Sequence, residues 1–188
     1  MAATIANEDK KRTLSVLVEN RSGVLSQVAR LFSRNGVNID SFTAGTTTDL
    51  GVTRLTIEIT TDDDHTKLIC AQLNKMVPVH SVKLLDPNHA IRRELVMFKC
   101  KAITSEARNE IIQIGSIFRG SVIDISQDTL TLSVIGDEGK IDAVKEMLEP
   151  YGIIEMARSG IIALERGKYT IDENTKEKSE YDYGKSAF

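Results

Sequence analysis

The stretch Leu14-Ser15-Val16-Leu17-Val18-Glu19-Asn20-Arg21-Ser22-Gly23-Val24-Leu25-Ser26 holds a change of hydrophobic period that decides the fold. Leu14, Val16 and Val18 alternate with polar neighbours, the period-two pattern of a strand with one buried face. From Val24 the period lengthens: Val24, Leu25, Val28, Leu31 and Phe32 recur at three- and four-residue spacing, the apolar stripe of a helix with Ser22 as its candidate N-cap. Gly36 closes that helix. Val37-Asn38-Ile39 and the run to Thr48 predict a second strand, Asp49-Leu50-Gly51 a turn, and Leu55, Ile57 and Ile59 a third strand. Asp62-Asp63-Asp64 suits the N-terminus of a second helix, whose buried face is Ile69, Leu73 and Met76 and which stops before Pro78. Val79 to Leu85 then gives a fourth strand. The order β-α-β-β-α-β is the ferredoxin-like split unit.

The same order returns after the turn Asp86-Pro87-Asn88. Glu94 to Ala102 predicts a strand, and Ala107, Ile111, Ile114 and Phe118 a helix capped by Ser105 and punctuated by Gly120. Val122 to Ile125 and Leu130 to Val134 are strands joined through Gln127-Asp128. Ile141, Val144 and Leu148 mark a helix broken at Pro150, and Ile153 to Ala157 with Ile161 to Leu164 complete the sheet. The fold class is therefore α+β, two ferredoxin-like βαββαβ domains in tandem. The expected limits are an N-terminal arm over residues 1–11, domains over 12–86 and 87–167, and a charged tail over 168–188 that contributes little to a core.

Composition narrows the chemistry. In 188 residues, 24 Lys and Arg against 27 Asp and Glu leave a net charge of −3, so the chain as a whole lacks the positive field that a nucleic-acid partner requires. Apolar runs are a few residues long, far short of the roughly 18 needed for a membrane span. No leader-like segment opens the sequence, which makes the cytoplasm the expected location. Cys70 and Cys100 fall in separate elements without CxxC spacing and suit buried reduced thiols. His65, His80 and His89 show no metal-ligand spacing, so no metal site is expected. Gly136-Asp137-Glu138-Gly139-Lys140 lacks the spacing of a phosphate loop, and Ile141 stands where Ser or Thr would follow the lysine; a turn capping the next helix is the simpler assignment. Asn20-Arg21-Ser22 has the form of a glycosylation acceptor, which carries no meaning in a cytoplasmic chain.

One constellation has the chemistry of a receptor for a free amino acid. The first N–H groups of the helix after Gly23 carry partial positive charge and suit a carboxylate, which glycine lets approach closely. Asn20 and Asn38 offer amide oxygens to an ammonium group, and Leu25 and Ile39 an apolar wall worth roughly 1.5 to 3 kcal/mol to an aliphatic side chain. The residues alone equally allow Asn20 and Ser22 to be simple caps and Gly23 a simple turn.

The same residues, together with Leu31-Phe32-Ser33-Arg34-Asn35-Gly36-Val37-Asn38-Ile39-Asp40-Ser41, resemble the ACT domain of the small regulatory subunit of acetolactate synthase, also called acetohydroxyacid synthase. Arg93-Glu94-Leu95, Ile117-Phe118-Arg119-Gly120 and Ala157-Arg158-Ser159-Gly160-Ile161 resemble that family's second domain. The resemblance implies a chain without an active site or cofactor of its own, which regulates a large catalytic subunit carrying thiamine diphosphate, magnesium and FAD. It implies a homodimer through ACT domains and feedback by a branched-chain amino acid, valine foremost. Effector contacts then fall on Asn20, Gly23, Val24, Leu25, Ser26, Asn38 and Ile39, with Asn20 to Leu25 of one chain facing Asn38 and Ile39 of its mate. An ACT-type sensor subunit of another metabolic enzyme is the alternative.

Overall fold

The computed structural model describes residues 9–171. They form two compact units, one made of residues up to Ile91 with those from Ala163 onward, the other of Arg92–Ile162. Both are the α+β arrangement expected from the sequence.

The first unit contains β1 (Lys10–Glu19), α1 (Val24–Arg34), β2 (Ile39–Thr46), β3 (Val52–Thr61), α2 (Asp63–Asn74) and β4 (Val79–Leu85). Its antiparallel sheet has the order β2-β3-β1-β4, which leaves β2 at an edge. Leu14, Val16 and Val18 of β1 and Leu55, Ile57 and Ile59 of β3 pack against Val24, Val28 and Phe32 of α1 and Ile69 and Leu73 of α2. These are the residues whose spacing marked the elements, because only one stripe of each helix and one face of each strand meets the helical layer.

The opposite face of this sheet departs from expectation. Thr13, Ser15, Thr56, Glu58 and Ser81, on the polar side of the alternation, are buried. Their polar atoms are satisfied where they lie: Thr13 Oγ1 donates to Glu58 Oε1 at 3.1 Å, and Arg54 Nε donates to Ser15 Oγ at 3.0 Å. Over the β4 side of this face runs the segment after Ala163. Lys83 pairs with Glu165 at 2.5 Å, and Ser81 Oγ donates to the Ile171 carbonyl at 3.1 Å. The expected limit at 167 therefore shifts. Residues 168–171 belong to the first unit, and Ile171 is buried; residues 172–188 of the expected tail lie outside the described residues. The expected arm likewise lies mostly outside them, except that Lys10 and Lys11 already pair with Thr61 and Thr60 in the sheet.

The second unit repeats the path with β5 (Ala90–Lys101), which starts in the first unit, α3 (Ser105–Ile117), β6 (Ser121–Ile125), β7 (Thr129–Gly136), α4 (Glu138–Leu148), a 3-10 turn at Glu149–Tyr151 and β8 (Ile153–Arg158). The order β6-β7-β5-β8 mirrors the first sheet, and a short β9 (Ile162–Glu165) also pairs with β5. Val96, Phe98, Cys100, Leu130, Leu132 and Val134 meet Ile111, Ile114, Ile141, Val144 and Leu148 in its core.

Three local expectations are corrected. Ser22 does not cap α1; Gly23 occupies the N-cap position and no side chain bonds there. Thr104, not Ser105, caps α3, because its side chain lies one residue outside the helix and accepts from the Ala107 N–H. The left-handed residue after α3 is Arg119, at φ 53°, while Gly120 is required by close packing: a Cβ there would lie 2.9 Å from the Ser133 carbonyl oxygen.

Candidate functional site

The turn between β1 and α1 is pinned from outside the helix. Glu19 N–H donates to the Pro78 carbonyl at 2.8 Å, and Asn20 N–H donates to the Gly51 carbonyl at 2.7 Å. Asn20 Nδ2 donates to the Leu50 carbonyl at 2.8 Å, which leaves the amide oxygen as the group suited to an ammonium. Arg21 pairs with Glu19. Gly23 then turns the chain at φ 86° and ψ −15°, a left-handed conformation that side-chain-bearing residues seldom adopt. The space around it is open, with nothing within 4 Å of where a Cβ would be, so backbone geometry rather than crowding selects glycine.

Beyond Gly23 the helix N-terminus stays unfilled. Gln27 N–H makes the first i to i−4 bond, to the Gly23 carbonyl at 3.0 Å, and the Val24 N–H reaches the Arg21 carbonyl only at 3.4 Å. The N–H groups of Leu25 and Ser26 precede that first helical bond. No side chain caps α1, and its first turn holds no acid. The other three α-helices described are closed: Asp62 accepts from the His65 N–H at 2.8 Å, Thr104 from Ala107 at 3.1 Å and Asp137 from Lys140 at 3.0 Å. Uncapped N–H groups plus the helix dipole, about half a positive charge, give this turn a local charge that favours an anion.

The predicted site residues divide into two groups. Asn20, Gly23, Leu25 and Ser26 are exposed at the turn, with 42% of Leu25 accessible. Val24 sits among them but its side chain is in the core, so only its main chain faces the site. Asn38 and Ile39 lie elsewhere. β1 pairs Glu19 with Val52 at one end of β3, whereas Ile39 pairs with Ile59, seven residues further along. At about 3.3 Å per residue that is about 23 Å, beyond the reach of one amino acid. A single chain does not bring the two groups together, and a joint site requires a second copy.

At the second group, Asn38 Nδ2 donates to Asp40 Oδ1 at 3.1 Å, and Asp40 Oδ2 accepts from Thr60 Oγ1 at 2.8 Å. Asp40 was not among the predicted site residues. It is an exposed carboxylate two residues beyond Asn38 and thus on the same side of the extended chain, the signal that would have found it. Its negative charge is a better ammonium partner than an amide oxygen.

The remaining reactive groups are quiet. Burial pushes the thiols of Cys70 and Cys100 up to about 11, which keeps both protonated at neutral pH. His65 and His89 are each tied to an aspartate three residues earlier, His65 to Asp62 and His89 to Asp86, both at 2.7 Å. Among the described residues no cluster of three or more His, Cys, Asp or Glu is arranged to hold a metal ion, and no helix is long and apolar enough to cross a membrane.

Comparison with known proteins assigns both halves. Residues 14–81 match a family model described as the AHAS small subunit-like ACT domain, and residues 93–167 match one described as the small subunit of acetolactate synthase. The chain is 44% identical over 167 residues to a probable acetolactate synthase small subunit of Methanothermobacter thermautotrophicus, covering 89% of this chain and 99% of that one. It is 40% identical over 157 residues to the acetolactate synthase small subunit of Aquifex aeolicus, covering 84% and 82%. The crystal structure of the small subunit from Thermotoga maritima superposes with a TM-score of 0.78 at 34% identity, over 85% of this chain and 99% of that one. The chain belongs to the acetolactate synthase small-subunit family.

Proposed function

We propose that this regulatory subunit binds a branched-chain amino acid, valine foremost, between the ACT domains of two copies and passes the occupancy to the large catalytic subunit in the cytoplasm. The observation that carries the reading is the open N-terminus of α1 behind a left-handed Gly23, in a chain whose other three described α-helices are each closed by a side chain. The effector carboxylate sits on the N–H groups of Leu25 and Ser26, with the side chain of Leu25 as one apolar wall. The ammonium lies toward the Asn20 amide oxygen and, on the mate, Asn38 and Asp40, where Ile39 adds a second wall. Burying an aliphatic side chain favours valine over glycine, while one methylene separates valine from leucine or isoleucine by only about 1 to 3 kcal/mol.

The effector acts by linkage: it biases the assembly only by its differential affinity for two states, and coupling of about 1 to 3 kcal/mol alters the response about 5- to 150-fold. Thiamine diphosphate, magnesium and FAD belong, on this reading, to the large subunit, which performs the condensation. Reconstitution tests it. The chain mixed with a purified large subunit is expected to raise acetolactate formation from pyruvate, and added valine to lower it again. A large subunit indifferent to the chain, or a complex indifferent to valine, leucine and isoleucine, contradicts the reading.

A further inference from the structure

On the helical side of the first unit, α1 and the end of α2 enclose an open groove of about 440 Å³. Gln27, Arg30, Leu31 and Arg34 line it from α1, with Lys75 and Met76 at the other wall. None of its seven lining residues is acidic, in a chain where acids outnumber bases. Among the described residues none of Arg30, Arg34 and Lys75 forms an ion pair, although other surface cations such as Lys67 and Lys145 do. Arg34 in the last turn of α1 and Lys75 at the C-cap of α2 complement helix carbonyls. Arg30, a full turn earlier, has no such role. Leu31 and Met76, half-buried and packed against the core, line the same groove.

We propose that this groove is a docking site for the catalytic large subunit, taking an acidic segment anchored by an apolar side chain; the proposal rests on the regulatory reading above. Charge complementarity selects the occupant. An acidic surface is disfavoured by a chain of net charge −3, except where three cations without an ion pair among the described residues line one groove with no acid in its lining. The arginines suit an acidic motif, as in other arginine clusters, and Leu31 and Met76 in the same lining suit its apolar side chain. The same helix carries the effector's N–H groups at one end and Arg30 and Arg34 along its length, so a shift of α1 at the effector site moves the docking cations with it.

The test uses the full chain carrying Arg30→Ala and Arg34→Ala together, two exposed positions, against the immobilised large subunit. Affinity is expected to fall at least about tenfold at about 50 mM salt, and its salt dependence to flatten. Valine binding by calorimetry stays as in the unaltered chain, and the melting temperature falls by no more than a few degrees, the loss of Arg34 at the end of α1. Equal affinity of variant and unaltered chain overturns the docking site and leaves the regulatory reading standing. Failure of the unaltered chain to bind the large subunit overturns both. Inorganic triphosphate is expected to compete with the large subunit; triphosphate that occupies the groove without displacing it marks a small-anion site and overturns the proposal.

Discussion

The two units of this chain leave their first strand for their first helix at the same point of the same topology, yet finish the turn in different ways. After β5, Thr104 accepts from the Ala107 N–H, and Arg108 reaches back to donate to the carbonyls of Ala102 at 3.0 Å and Gln127 at 2.7 Å. That helix start is satisfied by its own chain. After β1, the corresponding turn ends in a left-handed glycine, and nothing closes the helix behind it. A capping side chain is worth about 0.5 to 2 kcal/mol, so α1 forgoes stability that α3 keeps. One N-terminus is closed by its own side chains, the other is left open, and only the open one has N–H groups free for the carboxylate of the proposed effector.

The largest effect that sharpens this contrast is expected from Gly23→Asp. An aspartate there places a carboxylate beside the open N–H groups proposed to hold the ligand, and valine binding measured by calorimetry should be abolished while the circular dichroism spectrum still reports a folded chain. The companion change Thr104→Asp, at the equivalent turn of the second unit, is expected to leave valine affinity as it was. Loss of binding in the second variant with retention in the first would reverse the comparison.

A smaller effect separates the two turns by stability. Thr104→Ala removes a real cap and should cost about 0.5 to 2 kcal/mol in chemical denaturation, whereas Ser22→Ala removes a hydroxyl that caps nothing and should stay within about 0.5 kcal/mol. Equal losses would mean that Ser22 closes α1 in solution.

A last effect, of the same order, concerns a closed helix whose cap titrates. The Asp62 carboxyl is held below its ordinary 3.8, first by the bond from the His65 N–H and then by the His65 ring; His65 is held above 6.5, chiefly by its side-chain bond to Asp62. The signs are opposite. The aspartate's share of stability is present above pH 3.8 and lost as pH falls through its lowered value. The histidine's share is present below pH 6.5 and lost as pH rises through its raised value. Asp62→Ala should return His65 toward 6.5 in an NMR titration and lower the melting temperature. An unmoved His65 would show that the pair does not form.

The fold was legible because each element wrote its own period into the sequence. Leu14, Val16 and Val18 or Ile141, Val144 and Leu148 name their faces without help from distant residues. What escaped notice depends on distance along the chain. Ser15 and Glu58 look like solvent-facing residues by alternation, and they are buried on a face that the segment after Ala163 also approaches. Thr104 and Ser105 are adjacent hydroxyls of equal capping ability, so only the backbone decides between them. At the site, the glycine and the asparagines could be read, but the groups left open at the start of α1 are main-chain N–H groups, which every residue but proline possesses. That Asn20 and Asn38 lie at opposite ends of one sheet was visible only once the register of β2 on β3 was known.

A crystal structure of the full chain grown with saturating valine decides whether the open start of α1 receives the effector. It should show the valine carboxylate about 3 Å from the Leu25 and Ser26 N–H groups of one protomer, with the ammonium toward Asn38 and Asp40 of the other. Valine bound elsewhere, or an empty α1 N-terminus at saturation, would contradict it.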